Sequence, residues 1–557
     1  MATVRSLIEG FVWEHLEKFV SLVDEGGEDT VFEGIRVLDE PEKFVHGALV
    51  NATANLYVQY VNTGDERSDV TLQRLLKFLS FVLKTDVKTW GKLSCLRGVF
   101  ALYKAGQLDK LPSSVIDVLK EKTDYTDFYD KERNEIINLP TNYYRVAMAC
   151  AGYREKLGWD TEKFSAKICE KLVGIIEAGS LVGWMDEDPP HGRFDRYSII
   201  LSSEFADTAM ELGLDMPKFL KNNLRNAAEL SLLMANKKGD GINYGRSLSC
   251  HGDATPLEII ASALAMGLIE ADKKDLAVAY SAKIIEKILG FWYDGTKGSF
   301  NIWWNGRSTN KYRQVHRVLE VNLDMAMHLI ATLANFERAG LADVEVDEAS
   351  ISTVTNWTVH RVDFTPKCNR ALFVLKYKDT LCMLPLIGLG GVCDWAAYMP
   401  YPSICGVLEG APQAHVPFLI PEYTLPDGKT ARPVEFYENI DMSNVNETVS
   451  IVATGRLALI DDGVAKNSDY TFKTVYEFVN NSIKVTFDTD AKYDSVHTVV
   501  GVHGEKDVIE VFGFDTYSVI NICDEYDYKT PSGAITEARE YVSNSVRTLG
   551  YRFTLNS

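Results

Sequence analysis

Tyr244, Arg246 and His251 fall within eight positions in the segment Asp240-Gly-Ile-Asn-Tyr-Gly-Arg-Ser-Leu-Ser-Cys-His251. A phenol, a guanidinium and an imidazole are the groups needed to remove a proton from a carbon next to a carboxylate. That proton is weakly acidic because the carboxylate is already negative. Donors must neutralise the carboxylate and strengthen as the dianion develops. A base then takes the proton, and an acid protonates the departing oxygen. Tyrosine can serve in either proton role when a nearby cation lowers its pKa, and Arg246 is such a cation two residues on. Glycines at 239, 241 and 245 permit positive φ or close backbone approach. The plain alternative is a structural loop in which Tyr244 is packed and Arg246 is tied to an acidic neighbour.

Three other stretches carry compatible side chains. Leu139-Pro-Thr-Asn-Tyr-Tyr-Arg145 enters a helix, and its Asn142 is either a carboxylate ligand or an N-cap. Gly183-Trp-Met-Asp-Glu-Asp-Pro-Pro-His191-Gly-Arg-Phe-Asp-Arg-Tyr197 offers Trp184 for stacking on a sugar face, with His191, Arg193 and Tyr197 beside it. The third runs from Phe291 to Arg317 and holds Trp304, Arg307, Arg313 and His316. Aromatic rings beside arginines suit a groove for a charged sugar, and they equally suit a helix–sheet interface.

These loops punctuate a helical pattern. Apolar residues recur at three- and four-residue spacing over 4–22, 43–63, 68–84, 91–105, 113–122, 143–157, 161–178, 197–213, 216–235, 255–270, 274–291 and 317–338. Pro256 reads as a first-turn proline opening the 255–270 helix. Roughly a dozen helices in sequential pairs imply antiparallel hairpins in a toroid or solenoid. After about residue 345 the pattern changes to period two, as in 354–364, 371–377, 447–453, 473–479 and 482–487, with turn signals such as Pro426-Asp-Gly. The expected architecture is α+β and multidomain. It has an (α/α)n toroid over 1–345, with six hairpins the natural number, and an antiparallel β-sandwich over 346–557.

A net charge of −20 repels nucleic acid, so a DNA or RNA partner is not expected. An acidic glycan would need a locally positive cleft. The N-terminus lacks a signal-peptide core, and no apolar run is long enough to span a bilayer. A cytoplasmic protein is therefore expected, with secretion fitting only if a leader has been removed. The nine cysteines form no C-x-x-C pair. No H-E-x-x-H, P-loop or G-x-G-x-x-G motif is present. No metal site or cofactor is called for, a divalent cation is left open, and so is the oligomeric state.

The Tyr244-Gly-Arg-Ser-Leu248 motif, with Asp195-Arg-Tyr197 upstream and Arg317-Val-Leu-Glu320 downstream, resembles the DUF2264 group. That group is similar to the heparinase II/III-like and alginate-lyase-like toroidal polysaccharide lyases. The resemblance implies an (α/α)6 toroid followed by β-sheet domains. It also implies Tyr244 as acid/base, His251 or His191 as its partner, and Asn142 and Arg246 as carboxylate neutralisers. The chain departs from the group's Arg-Ser-Leu-Thr-Tyr-Arg run at Ser249-Cys-His251, and it lacks a histidine in 198–204. The expected activity is β-elimination on a uronate-containing oligo- or polysaccharide. The competing expectations are a glycoside hydrolase using two of Asp186, Asp188, Glu204, Asp240, Asp253 and Asp294, and a non-catalytic glycan-binding scaffold.

Overall fold

The computed structural model describes residues 2–126, 128–130, 132–137, 144–160, 164–180, 183–185, 194–307, 314–364, 369–387, 398–409, 416–461, 464–502, 509–520, 529–535, 537–545 and 548–555. Twelve α-helices occupy the first part of the described chain. They are α1 (Val4–Gly26), α2 (Phe44–Thr63), α3 (Ser68–Lys84), α4 (Thr89–Lys104), α5 (Ser113–Lys122), α6 (Tyr144–Lys156), α7 (Phe164–Gly179), α8 (Arg196–Leu212), α9 (Lys218–Leu233), α10 (Cys250–Ala265), α11 (Lys274–Lys287) and α12 (Val318–Arg338).

The apolar pattern sorts them into two layers. Helix α3 buries Leu75, Phe78, Leu79 and Val82 along one stripe, the signature of an outer helix with one wet face. Helix α10 is buried nearly all round, as an inner helix must be. The even-numbered helices close a ring: α2 packs on α4, α4 on α6, α6 on α8, α8 on α10, α10 on α12 and α12 on α2. The odd-numbered helices lie outside. Glycine sets one of the tightest contacts, because a Cβ at Gly47 of α2 would sit 1.9 Å from the Gly91 carbonyl of α4. This is the (α/α)6 toroid expected from the spacing.

The remaining described chain is antiparallel sheet. A three-stranded sheet (Val354–Asp363, Ala371–Lys378, Thr380–Leu386) presents Leu372, Val374 and Met383 to the helical core. Its other face, with Trp357, Phe373 and Leu375, shares a second core with a ten-stranded sheet. The Trp357 ring lies edge-on to Phe478 of that larger sheet, with centroids 5.1 Å apart. Two sheets thus pack face to face on alternating apolar residues, and the smaller one joins them to the toroid. Among the described residues no helix is long and apolar enough to cross a membrane.

Candidate functional site

Because the inner helices run parallel, their N-terminal ends gather at one rim of the ring. The motif loop 240–249 leads into α10, and Asp195 caps α8, with its Oδ1 accepting from Tyr197 N at 2.9 Å. At the α12–α2 junction Arg317 pairs with Glu42. At the α4–α6 junction the Arg145 guanidinium lies 5.7 Å from the Trp90 ring centroid. Helix N-termini carry partial positive charge.

The motif loop is fastened from below. Pro256 lies inside α10, not at its first turn, because the helix already begins at Cys250. A proline offers no N–H to the carbonyl four residues back. That carbonyl, Gly252 O, accepts instead from Ile242 N of the loop at 3.0 Å. Gly241 N donates to Asp253 Oδ1 at 2.8 Å, and Trp292 Nε1 donates to Asp253 Oδ2 at 2.7 Å. Lys287 Nζ bonds Asp240 Oδ1 at 2.7 Å and lies 2.8 Å from Asp253 Oδ2. Burial alone would lower the Lys287 amine, but Asp253 and Asp240 hold it well above its ordinary pKa.

Arg246 and Tyr244 extend from the same loop, while His251 lies in the first turn of α10. Arg246 Nε donates to Asp195 Oδ2 at 2.8 Å and lies 3.1 Å from Tyr398 OH. Tyr398, from the second part of the chain, donates to the same Asp195 oxygen at 2.6 Å. The Arg246 guanidinium also lies 5.0 Å from the Tyr197 ring centroid, and the Tyr197 hydroxyl donates to Ser247 Oγ at 3.0 Å. The backbone here is strained: Ser247 and Ser249 have φ of +51° and +66°, and Gly245 has +88°. A Cβ on Gly245 would meet Asp195 Cβ at 2.6 Å, so glycine is required for the approach.

Tyr244 is buried, and its hydroxyl has no hydrogen-bond partner among the described residues. Burial pushes the phenol well above its ordinary pKa, and the Asp195 charge adds to the rise. This corrects the expectation of a lowered pKa. Burial is the larger cause, so a phenol beside Arg246 is not thereby brought down.

The inner helices enclose a cavity of about 200 Å³ along the ring axis. Charged groups line it in pairs. Arg145 Nη1 lies 2.8 Å from Glu204 Oε1, and Tyr153 bonds Glu211 beside Arg97. Asp207 accepts from Ser262 Oγ at 2.7 Å and Asn335 Nδ2 at 2.9 Å. His251 is buried and faces α12, its Nε2 3.4 Å from Asp324 Oδ2. Tyr244 does not line this cavity.

The other sequence-derived candidates scatter. Trp184 is buried, edge-on to Phe364 with centroids 5.7 Å apart, so its ring packs in the core rather than on a sugar. Arg307 donates to Phe291 O at 2.6 Å and Asn301 O at 3.0 Å, and its guanidinium lies 3.9 Å from the Phe291 ring centroid. It is a structural clamp of the kind the alternative reading foresaw. Trp304 is partly buried under Lys297, 4.1 Å from its ring centroid. His316 is partly buried beside Glu40 and Glu42, and burial and then Arg317 lower its pKa. Asn142, His191, Arg193 and Arg313 lie outside the described residues, as do Asp186 and Asp188. Of the remaining carboxylates, Asp240 and Asp253 clamp Lys287 and Glu204 pairs with Arg145, while Asp294 accepts from Thr296 N in its own turn. Sequence reading missed Asp195 as the partner of Arg246, although it lies in a quoted loop. It also missed Tyr398, Asp324 and His328, for which no local motif exists.

No family model matches the chain, and no curated protein matches its sequence. Solved structures do. The Streptomyces coelicolor A3 chondroitin AC lyase, solved with chondroitin sulphate, superposes with a TM-score of 0.56 at 12% identity, over 99% of this chain and 79% of that one. Paenibacillus xanthan lyase superposes with a TM-score of 0.53 at 10% identity, over 98% of this chain. The fold is that of the toroidal polysaccharide lyases. This chain covers 57% of the length of the xanthan lyase. The likeness to toroidal lyases thus holds in the fold, while the narrower resemblance to the DUF2264 group has no family-model match behind it.

Proposed function

We propose that this toroidal-lyase fold carries a lyase that cleaves a uronate-containing oligo- or polysaccharide by β-elimination, with Tyr244 as proton donor to the departing oxygen. The observation that carries the reading is the buried, unpartnered Tyr244 hydroxyl on a strained, glycine-dependent loop at the rim where the inner helices begin. A buried hydroxyl without a partner costs about 1–3 kcal/mol. On this reading a substrate oxygen supplies the partner that the hydroxyl lacks among the described residues. Because burial and Asp195 keep the phenol protonated, its role is the acid. The substrate carboxylate is met by the helix N-termini together with Arg246 and Asn142, whose interactions strengthen as the aci-carboxylate forms. His191 is the imidazole assigned to take the C5 proton. His251 is not assigned, since it is turned towards α12. The solved chondroitin AC lyase carries chondroitin sulphate, and an acidic glycan of that class is the substrate assigned here.

The test is incubation with a panel of uronate glycans while absorbance of the 4,5-unsaturated uronate is followed. Turnover is expected on at least one, and Tyr244→Phe lowers it by about 10²–10⁴-fold. Cleavage of a uronate-free substrate, or no chromophore from any uronate, overturns the reading.

A further inference from the structure

At the wall of the axial cavity, Asp324 and His328 meet the buried His251, which lies behind them on a different inner helix. His251 opens α10, and Asp324 and His328 lie one turn apart on α12. Both imidazoles direct Nε2 at a single oxygen, Asp324 Oδ2: His251 at 3.4 Å and His328 at 3.3 Å. The three ligand atoms all lie within 4.8 Å of one another. A four-coordinate zinc with ligands at about 2.0–2.1 Å needs its ligand atoms about 3.3 Å apart. The two nitrogen–oxygen separations match that spacing. The ring planes stand 86° apart with centroids 6.0 Å apart, so the imidazoles approach the shared point from different directions.

The surroundings also fit. A metal-bound histidine usually has its other ring nitrogen held by a carboxylate, which fixes ring orientation and raises ligand basicity. His328 Nδ1 lies 3.2 Å from Glu258 Oε1 of α10. The Nδ1 of His251 faces Cys250 Sγ at 3.4 Å. His251 is buried, while Asp324 and His328 are only partly so, which leaves the corner open on its cavity side. Asp324, His328 and Glu258 line the cavity, which provides an entry path and room for a fourth ligand.

We infer that His251, Asp324 and His328 form a divalent transition-metal site, best suited to Zn²⁺, that ties α10 to α12 on the wall of the axial cavity, with Glu258 orienting His328. Imidazole and carboxylate ligands at these spacings select zinc or a neighbouring first-row ion over magnesium or calcium, which favour all-oxygen shells. The site is separate from the Tyr244 loop and does not depend on the activity proposed above.

Tag-free protein stripped with a chelator is titrated with Zn²⁺ by calorimetry and with Co²⁺ by visible spectroscopy, with thermal melts in parallel. One equivalent is expected to bind, with the intense visible bands of four-coordinate cobalt and a raised melting temperature. The near-isosteric Asp324→Asn and His328→Gln each lower affinity by about 100-fold or more, and Glu258→Gln by about 10–100-fold. The inference is overturned if the stripped wild-type protein takes up no stoichiometric metal, a result that needs no variant to fold. It is also overturned if the variants bind as the wild type does. In either case the three side chains form only a proton-held pair of ion contacts. Glycan turnover is not among the readouts, so failure here leaves the elimination reading untouched, and the reverse also holds.

Discussion

Arg246 and Asp195 are 51 residues apart in sequence, yet a 2.8 Å bond from Nε to Oδ2 locks the loop before α10 to the cap of α8. The carboxylate is fully buried and the guanidinium nearly so. Removing one partner of such a pair leaves an uncompensated buried charge. Asp195→Asn is therefore expected to lose about 3–5 kcal/mol of stability, measured by urea unfolding. Burial would raise the Asp195 carboxyl, but Arg246 overrides it and holds it below the ordinary carboxylate range. A depressed carboxylate contributes stability above its unfolded pKa and loses it as pH falls through the folded value. The wild-type advantage over Asp195→Asn should therefore shrink below about pH 4. A gap that stays constant down to pH 2 would contradict the pairing.

Tyr244→Phe separates function from packing. The hydroxyl has no hydrogen-bond partner among the described residues, so its loss breaks no internal bond. Melting should stay within about 1 kcal/mol of wild type or shift upwards, while uronate turnover collapses. A destabilised but fully active variant would show that the hydroxyl has a structural partner and no chemical task.

Lys287 bridges Asp240 and Asp253 beneath the motif loop. Lys287→Met leaves two carboxylates facing each other in the interior. The expected loss is about 3–5 kcal/mol by thermal or chemical unfolding. The added double variant Asp240→Asn/Asp253→Asn should recover part of that loss, and a further decline would refute the clamp.

Asp207, on the cavity wall, has its carboxyl pushed up to about 6 by burial, against the opposing hydrogen bonds from Ser262 and Asn335. A raised carboxylate contributes stability that is full below its unfolded pKa and is lost as pH rises through the folded value. The wild type should therefore lose stability relative to Asp207→Asn between about pH 4 and pH 6, by no more than about 2 kcal/mol for a half-buried side chain, and the difference should level off above that. Paired melts across pH 3.5–8 check the sign. A relative gain for the wild type over that interval would reverse the assignment.

Periodicity located all twelve helices and the change to alternating strands, because each element's burial pattern is written into its own residues. It erred at α10, placing Pro256 in the first turn when the helix begins at Cys250. The error is physical: a proline inside a helix is tolerated where another donor, here Ile242 N, takes the orphaned carbonyl. Composition could not separate a sugar-stacking tryptophan from a core one. The burial of Trp184 against Phe364 depends on a segment 180 residues downstream.

The order of elements, the glycine-bearing loop and the residue types it presents were all legible in the chain; the strain at Ser247 and Ser249 was not. Those properties are local, set by backbone preference and by apolar spacing within one turn or one strand. The tertiary structure alone decided that Arg246 answers to Asp195 and Tyr398, that Tyr244 keeps its proton, and that His251 turns to Asp324 and His328. Each of these depends on burial and on charges brought from distant segments, which act through space when the ring closes and have no trace in the spacing of neighbours along the chain.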